Sequence, residues 1–229
     1  MAHSGPHPAA ARGGVPCAFT ERASDPTATM ATKRGQEPGE TGQRVLDAAE
    51  RLFLEHGYKA VTLKHVADAV GVRTASLYYY AEGGKDDLYR QAMARVLGRH
   101  AVGIRAALAA ADPGVEAQLN AAAEWLLSQP PLNVIGVLTS DLHAVPQAQA
   151  GELAEMIFEA MMEPVAAVIR AGIASGDLRP FPQEVLAGTF FSAMNAVQAI
   201  GRAGKFNDTT AVARSVVDVL LGGMRARAG

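Results

Sequence analysis

The side chains best suited to chemistry in this chain fall in one stretch, Thr62 to Lys85, TLKHVADAVGVRTASLYYYAEGGK. They are hydroxyls, amides and cations rather than paired acids or an activated nucleophile. Thr62 stands just ahead of an apolar stripe, where its hydroxyl and amide can meet a phosphate, because helix N-termini attract anions. Lys64 can reach a phosphate or a guanine edge. Thr74, Ala75 and Ser76 open a second short run and are small enough to approach base edges; the methyls of Thr74 and Ala75 suit a thymine methyl. Tyr79 and Tyr80 offer phenol hydroxyls to phosphates, and Lys85 offers a cation. Tyr78 divides between core and contact, since a tyrosine ring buries readily. Arg73 divides between a phosphate and plain solvent. The chemistry is that of gripping a phosphodiester backbone and reading what lies between its strands.

Such groups work only if short helices hold them. Leu63, Val66, Ala67 and Val70 recur at the spacing of one helical face, with Lys64, His65 and Asp68 opposite. Gly71 ends that helix as a left-handed residue would. Val72 plugs the angle, and Leu77 is the inward residue of the run TASLYYY. Helix, glycine turn and second helix make a helix-turn-helix, whose second member can lie in a major groove.

The segment from Gln43 to Met93 resembles the DNA-binding domain of the tetracycline-repressor (TetR) family. The resemblance is carried by AAERLFLEHGY at the end of a first helix, VTL opening the second, the AVGV turn, SLYYY, and a lysine followed by acidic residues and leucine. Three positions depart from it: Tyr80 stands where many members carry histidine, Ala81 replaces a common phenylalanine, and Arg73 sits where a small capping residue is usual. The resemblance implies a homodimer that binds a double-stranded DNA operator and answers to a small-molecule effector held among its C-terminal helices.

Composition sets the bounds. The chain has 229 residues, 49% of them hydrophobic and 6% aromatic, which suits closely packed helices. Cys17 is the only cysteine, so neither an internal disulfide nor a cysteine-rich metal site is available. No apolar run is long enough for a membrane span and no signal-peptide core stands at the N-terminus, so a cytoplasmic protein without a membrane partner is expected. The net charge of −2 argues against a polyanion-binding protein on totals alone. Position matters more: from Lys59 to Tyr80 the charges are Lys59, Lys64, Asp68 and Arg73, a locally positive face. His56 and His65 read as solvent-facing and lack partners at metal-ligand spacing. No nucleophile elbow, H-E-x-x-H, Walker loop or dinucleotide fingerprint is present, so no catalytic residue, metal or cofactor is assigned and an enzyme has nothing to rest on.

Residues 1–40, rich in Gly, Pro, Ser, Thr and Ala without periodicity, are expected to be a disordered tail, in which Lys33 and Arg34 are a conceivable DNA arm and Met30 a second candidate start. A first helix opens at Thr41 or Gly42 on the stripe Val45, Leu46, Ala49, Leu52 and Phe53, and ends at Gly57, with Tyr58 over the junction. Residues 41–87 then form the helix-turn-helix domain, and 88–229 a helical effector-binding and dimerisation domain. Its helices are expected at Lys85 to Ala111, Val115 to Ser128, Leu132 to Leu142, Glu152 to Ala174, Pro182 to Arg202, and from an Asp208 cap to Met224. No strand pattern appears, so the fold is all-α.

The last two helices are apolar nearly all round, which suits either a deep monomer core or a self-association face. Leu186, Phe190, Met194, Val197 and Ile200 mark the first; Val212, Val216, Val219, Leu220 and Leu221 the second. Trp125, His143, Met161, Phe190, Met194 and Asn195 are candidates to line an effector cavity, with ordinary core packing as the alternative, and their character favours a hydrophobic effector. The expected function is a homodimeric, ligand-responsive repressor with a near-palindromic operator. The competing reading, a helical small-molecule binder with lost or secondary DNA function, rests on the balanced charge and Ala81.

Overall fold

A computed structural model describes residues 39–205 and 207–225, all helical apart from turns and one isolated antiparallel bridge between Leu178 and Arg225. Lys33, Arg34, Met30 and Cys17 lie outside the described residues. The all-α expectation is borne out. Helix α1 spans Glu40–Ala60, α2 Leu63–Val70, α3 Thr74–Leu77 and α4 Gly84–Ala110. Beyond them come α5 (Val115–Ser128), the single turn α6 (Val134–Gly136), α7 (Gln147–Ile157), α8 (Glu163–Ser175), α9 (Gln183–Arg202) and α10 (Thr209–Met224).

Helix α4 is the spine. At 27 residues it is about 40 Å long. Its first half packs on α1 and its second on α5, which in turn packs on α8 and α10. Leu88, Tyr89, Ala92, Met93, Val96 and Leu97 are buried along it. Where α4 crosses α5 the helices are so close that a Cβ at Gly103 would stand 1.9 Å from the Trp125 ring. Only glycine fits there.

Three expectations need correction. The helix expected from Glu152 begins at Gln147 and runs through a π turn (Phe158–Met162) into α8. Its first turn is built of Gln and Ala, so no apolar periodicity announced it. The helix expected from Leu132 to Leu142 is only the α6 turn, capped by Asn133 Oδ1 on the Gly136 amide at 2.9 Å, followed by a π turn over Val137–Asp141. Third, α1 starts at Glu40 and does not end at Gly57. It breaks there, at φ 75° and ψ 168°, and a further turn carries Tyr58 to Ala60.

Ion pairs fasten α1 to α4. Glu50, nearly buried on α1, accepts from Arg99 at 2.5 Å and from Arg95 Nε at 3.1 Å, while Arg95 also reaches Asp47 at 2.9 Å. The hydrogen bond to Glu50, more than its charge, raises the affinity of the Arg99 guanidinium for its proton. A carboxylate this enclosed is stable only with its cations in place. Glu50→Gln should therefore lower the urea-unfolding free energy by about 1–3 kcal/mol with little change in helical content; an unchanged midpoint would remove the pair from the structural frame.

Candidate nucleic-acid interface

Helix α2 is fixed at both ends. The Thr62 hydroxyl accepts from the His65 amide at 3.3 Å, and His65 Nδ1 accepts from the Thr62 amide at 3.4 Å, a reciprocal capping box. His65 is thus a cap, a role its sequence position did not reveal because the usual partner is Glu or Gln. At the far end Gly71 takes φ 76° and ψ 33°, and the Val72 amide returns to Ala67 O at 3.0 Å. Arg44, reaching over from α1, donates to Val70 O at 2.8 Å and satisfies a carbonyl left open by the helix end. Nothing in the periodicity pointed to Arg44.

Helix α3 is short, Thr74–Leu77, with a turn continuing through Tyr80. Leu77 is fully buried, and α3 packs on α2. Around that anchor Arg73, Thr74, Ala75 and Ser76 are all exposed on one surface. Tyr79 is 85% exposed and Tyr78 53%, so the Tyr78 ring stands outside the core. Tyr80 is half-buried and meets Tyr79 edge to face, with ring centroids 5.3 Å apart. Gln91 of α4 donates to Tyr80 O and Asp87 Oδ2, both at 3.1 Å, holding the turn after α3 in place. Ala81 is buried against the core, so its departure from the usual aromatic leaves no exposed gap.

The cations are less free than the sequence suggested. Lys64 is exposed but pairs with Asp68 at 2.8 Å, and this hydrogen bond raises its pKa. Lys85 stands over the Tyr58 ring, its Nζ 4.1 Å from the centroid, and partial burial lowers its pKa. Tyr58 donates to Asp86; burial first, then that bond, pushes its pKa up to about 12, so it remains a donor.

In the C-terminal helices the effector candidates separate. Met161, Met194 and Asn195 border a void of about 10 Å³, together with His100, Leu126, Phe191 and Gln198. This is room for about one water molecule. Phe190 is 1% exposed and lies in the core against Phe191, and Trp125 is packed edge-on to His100 at 5.2 Å. His143 is exposed on the turn after Asp141, not in any interior. His100 and Gln198, buried polar residues of this layer, were missed by sequence reasoning; Gln198 donates to Leu126 O at 2.9 Å and Gln129 O at 3.0 Å.

Residues 45–92 match the model of the bacterial regulatory proteins of the tetR family. The N-terminal helix-turn-helix domain is of the tetR family. A transcriptional regulator, AcrR of Shigella flexneri, is 39% identical over 62 residues, 27% of this chain and 28% of that protein. The transcriptional repressor ComR of Escherichia coli K12 is 33% identical over 98 residues, 42% of this chain and 46% of that protein. The chain thus spans between about a quarter and a half of these relatives. Solved structures extend the fold comparison over about four fifths of it. The tetR-family regulatory protein from Rhodococcus RHA1 superposes with a TM-score of 0.62 at 19% identity, covering 82% of this chain and 99% of that one. The fatty acid degradation regulator FadR of Bacillus halodurans gives 0.61 at 22%, covering 80% and 99%. Among the described residues no helix is long and apolar enough to cross a membrane.

The tetR-type reading unit depends on its caps. Thr62→Ala should cost about 1 kcal/mol in thermal or urea unfolding, because one amide of α2 loses its acceptor; no loss would show the cap to be redundant with Arg44 and the Gly71 turn.

Proposed function

We propose that the chain is a ligand-responsive transcriptional repressor that binds a near-palindromic DNA operator as a homodimer. The observation that carries this reading is the surface of α3. Thr74, Ala75, Ser76, Tyr78 and Tyr79 are all exposed there, on a helix held from beneath by Leu77 and capped α2. Exposed aromatics so close together serve no folding purpose. In a major groove, the first residues of α3 meet base edges while Thr62, Lys64, Arg73, Tyr79, Tyr80 and Lys85 meet phosphates. Residues 41–87 act as the reader, and 88–229 as the effector and dimerisation domain.

Self-association is supported by α10. Val212, Val216, Val219 and Leu220 line an outward apolar groove of about 370 Å³, and Val219 is 73% exposed. The face expected on α9 lies mostly inside: Leu186, Phe190, Met194 and Val197 are buried, leaving Val185 and Ile200 exposed. Phe190 therefore reports on folding, and Val219 on association. One reading helix contacts too few base pairs for specificity, and a two-fold pair requires two half-sites about a turn apart.

Two measurements test the function. Lys64→Ala and Tyr79→Phe should each weaken binding to DNA from upstream of the chain's own gene by roughly 3- to 30-fold, at unchanged thermal midpoint. Wild-type affinity in both variants would remove these residues from the interface. Val219→Glu should sediment as a folded monomer with strongly reduced operator affinity; a dimer of wild-type affinity would place association elsewhere.

A further inference from the structure

A cleft of about 360 Å³ opens where α1 meets the π turn after α6, and it is far larger than the void among the effector candidates. Phe53, Met93, Leu132 and Val137 give it apolar walls. At its base stands Asp141, with only 9% of its surface exposed. Tyr89 donates to one carboxyl oxygen, Oδ2, at 3.1 Å. The other, Oδ1, faces the backbone of Gly57, where a Cβ would come within 3.4 Å.

What Asp141 lacks is a counter-charge. Among the described residues no Lys, Arg or His nitrogen pairs with it within 4 Å, whereas Glu50, also nearly buried, binds two arginines. Lys85 feels its field but is committed to the Tyr58 ring. Tyr89 cannot supply charge, since burial and then Asp141 push its pKa far up and keep it a neutral donor. A buried acid ordinarily carries a cation or a full set of donors. Here an open cleft stands in place of the cation, and its size is that of a small-molecule site.

We propose that this cleft binds a small organic cation, an amine or amidine on a compact apolar body, with its charged head on Asp141 Oδ1. The body packs between Phe53, Met93, Leu132 and Val137. Lys59 on the lip disfavours anything larger that carries a second positive charge at the mouth. The site is distinct from the interior expected to hold Met161 and Met194, and it stands whether or not the chain binds DNA.

Calorimetric titration of the full chain, without DNA, tests it with three probes of one shape: phenethylamine, phenethyl alcohol and hydrocinnamate. The amine should bind, the alcohol more weakly, and the acid not measurably. Asp141→Asn should weaken amine binding on the order of tenfold or more. Ser140→Trp, an exposed substitution at the rim, should abolish it while preserving the fold. If Asp141→Asn does not fold, the probe series on the wild type and Ser140→Trp decide. No binding of the amine to wild type, hydrocinnamate binding as tightly as the amine, or an unaffected Ser140→Trp would each overturn the proposal.

Discussion

Three aromatic rings at the join of α1 and α4 hold the reading unit to the rest of the molecule. Tyr89 of α4 meets Phe53 and Tyr58 edge to face, with centroids 4.9 and 5.0 Å away. Tyr58 can reach that position only because Gly57 breaks α1 at a positive φ and turns the chain back towards α4. Both tyrosines are then tied to a carboxylate: Tyr58 to Asp86 at the head of α4, and Tyr89 to Asp141 beyond α6. Lys85 closes the arrangement over the face of Tyr58. Three segments distant in sequence thus share one small cluster, and a displacement of any of them is felt by the helices that carry α3.

That arrangement explains which parts could be read from the chain. The reading unit was legible because its determinants are local: a cap before a stripe, a left-handed glycine, one inward leucine. Long amphipathic helices such as α4 were legible for the same reason, since a stripe of buried side chains repeats at the helical period. Asp141, Arg44 and Gln91 were not. Each acts on a backbone or side chain of another segment, 11 to 52 positions away, and no spacing rule connects Gln91 to Tyr80 O or Asp141 to Tyr89. The packing around the effector candidates was illegible for a related reason. Apolar residues on facing helices predict a shared interior, but whether it is filled or hollow depends on fits such as Trp125 against Gly103.

The two last helices show the limit from the other side. Residues apolar on both faces were consistent with burial inside one chain or between two, and the two helices divide: one is covered within the chain, the other keeps an apolar strip outside. Helix α9 turns most of its large side chains inward, while α10 keeps Ala213, Val217 and Leu221 in the core and leaves Val219 towards solvent with Val216 half-buried beside it. Their spacing of three places them on one outer stripe. A stripe of this kind is costly to leave in water, so α10 carries the stronger claim to a symmetric partner.

Charge then decides what kind of DNA complex is proposed. With Lys64 paired to Asp68 and Lys85 on an aromatic ring, few cations near α3 stand ready for phosphates. An ion pair exposed to water is worth little, so Lys64 can exchange Asp68 for a phosphate at small cost. Each such contact contributes a salt slope of about −0.9 on duplex DNA, and one reading unit offers only a few. Neutral donors, the Thr62 amide and the tyrosine hydroxyls, must supply much of the remaining grip, and these are short-range and insensitive to salt. Weak non-specific attraction combined with short-range contacts favours discrimination over tight general binding. It also makes each half-site weak alone, so in the proposed dimer affinity would rest on α10 bringing two copies of α3 to a fixed separation.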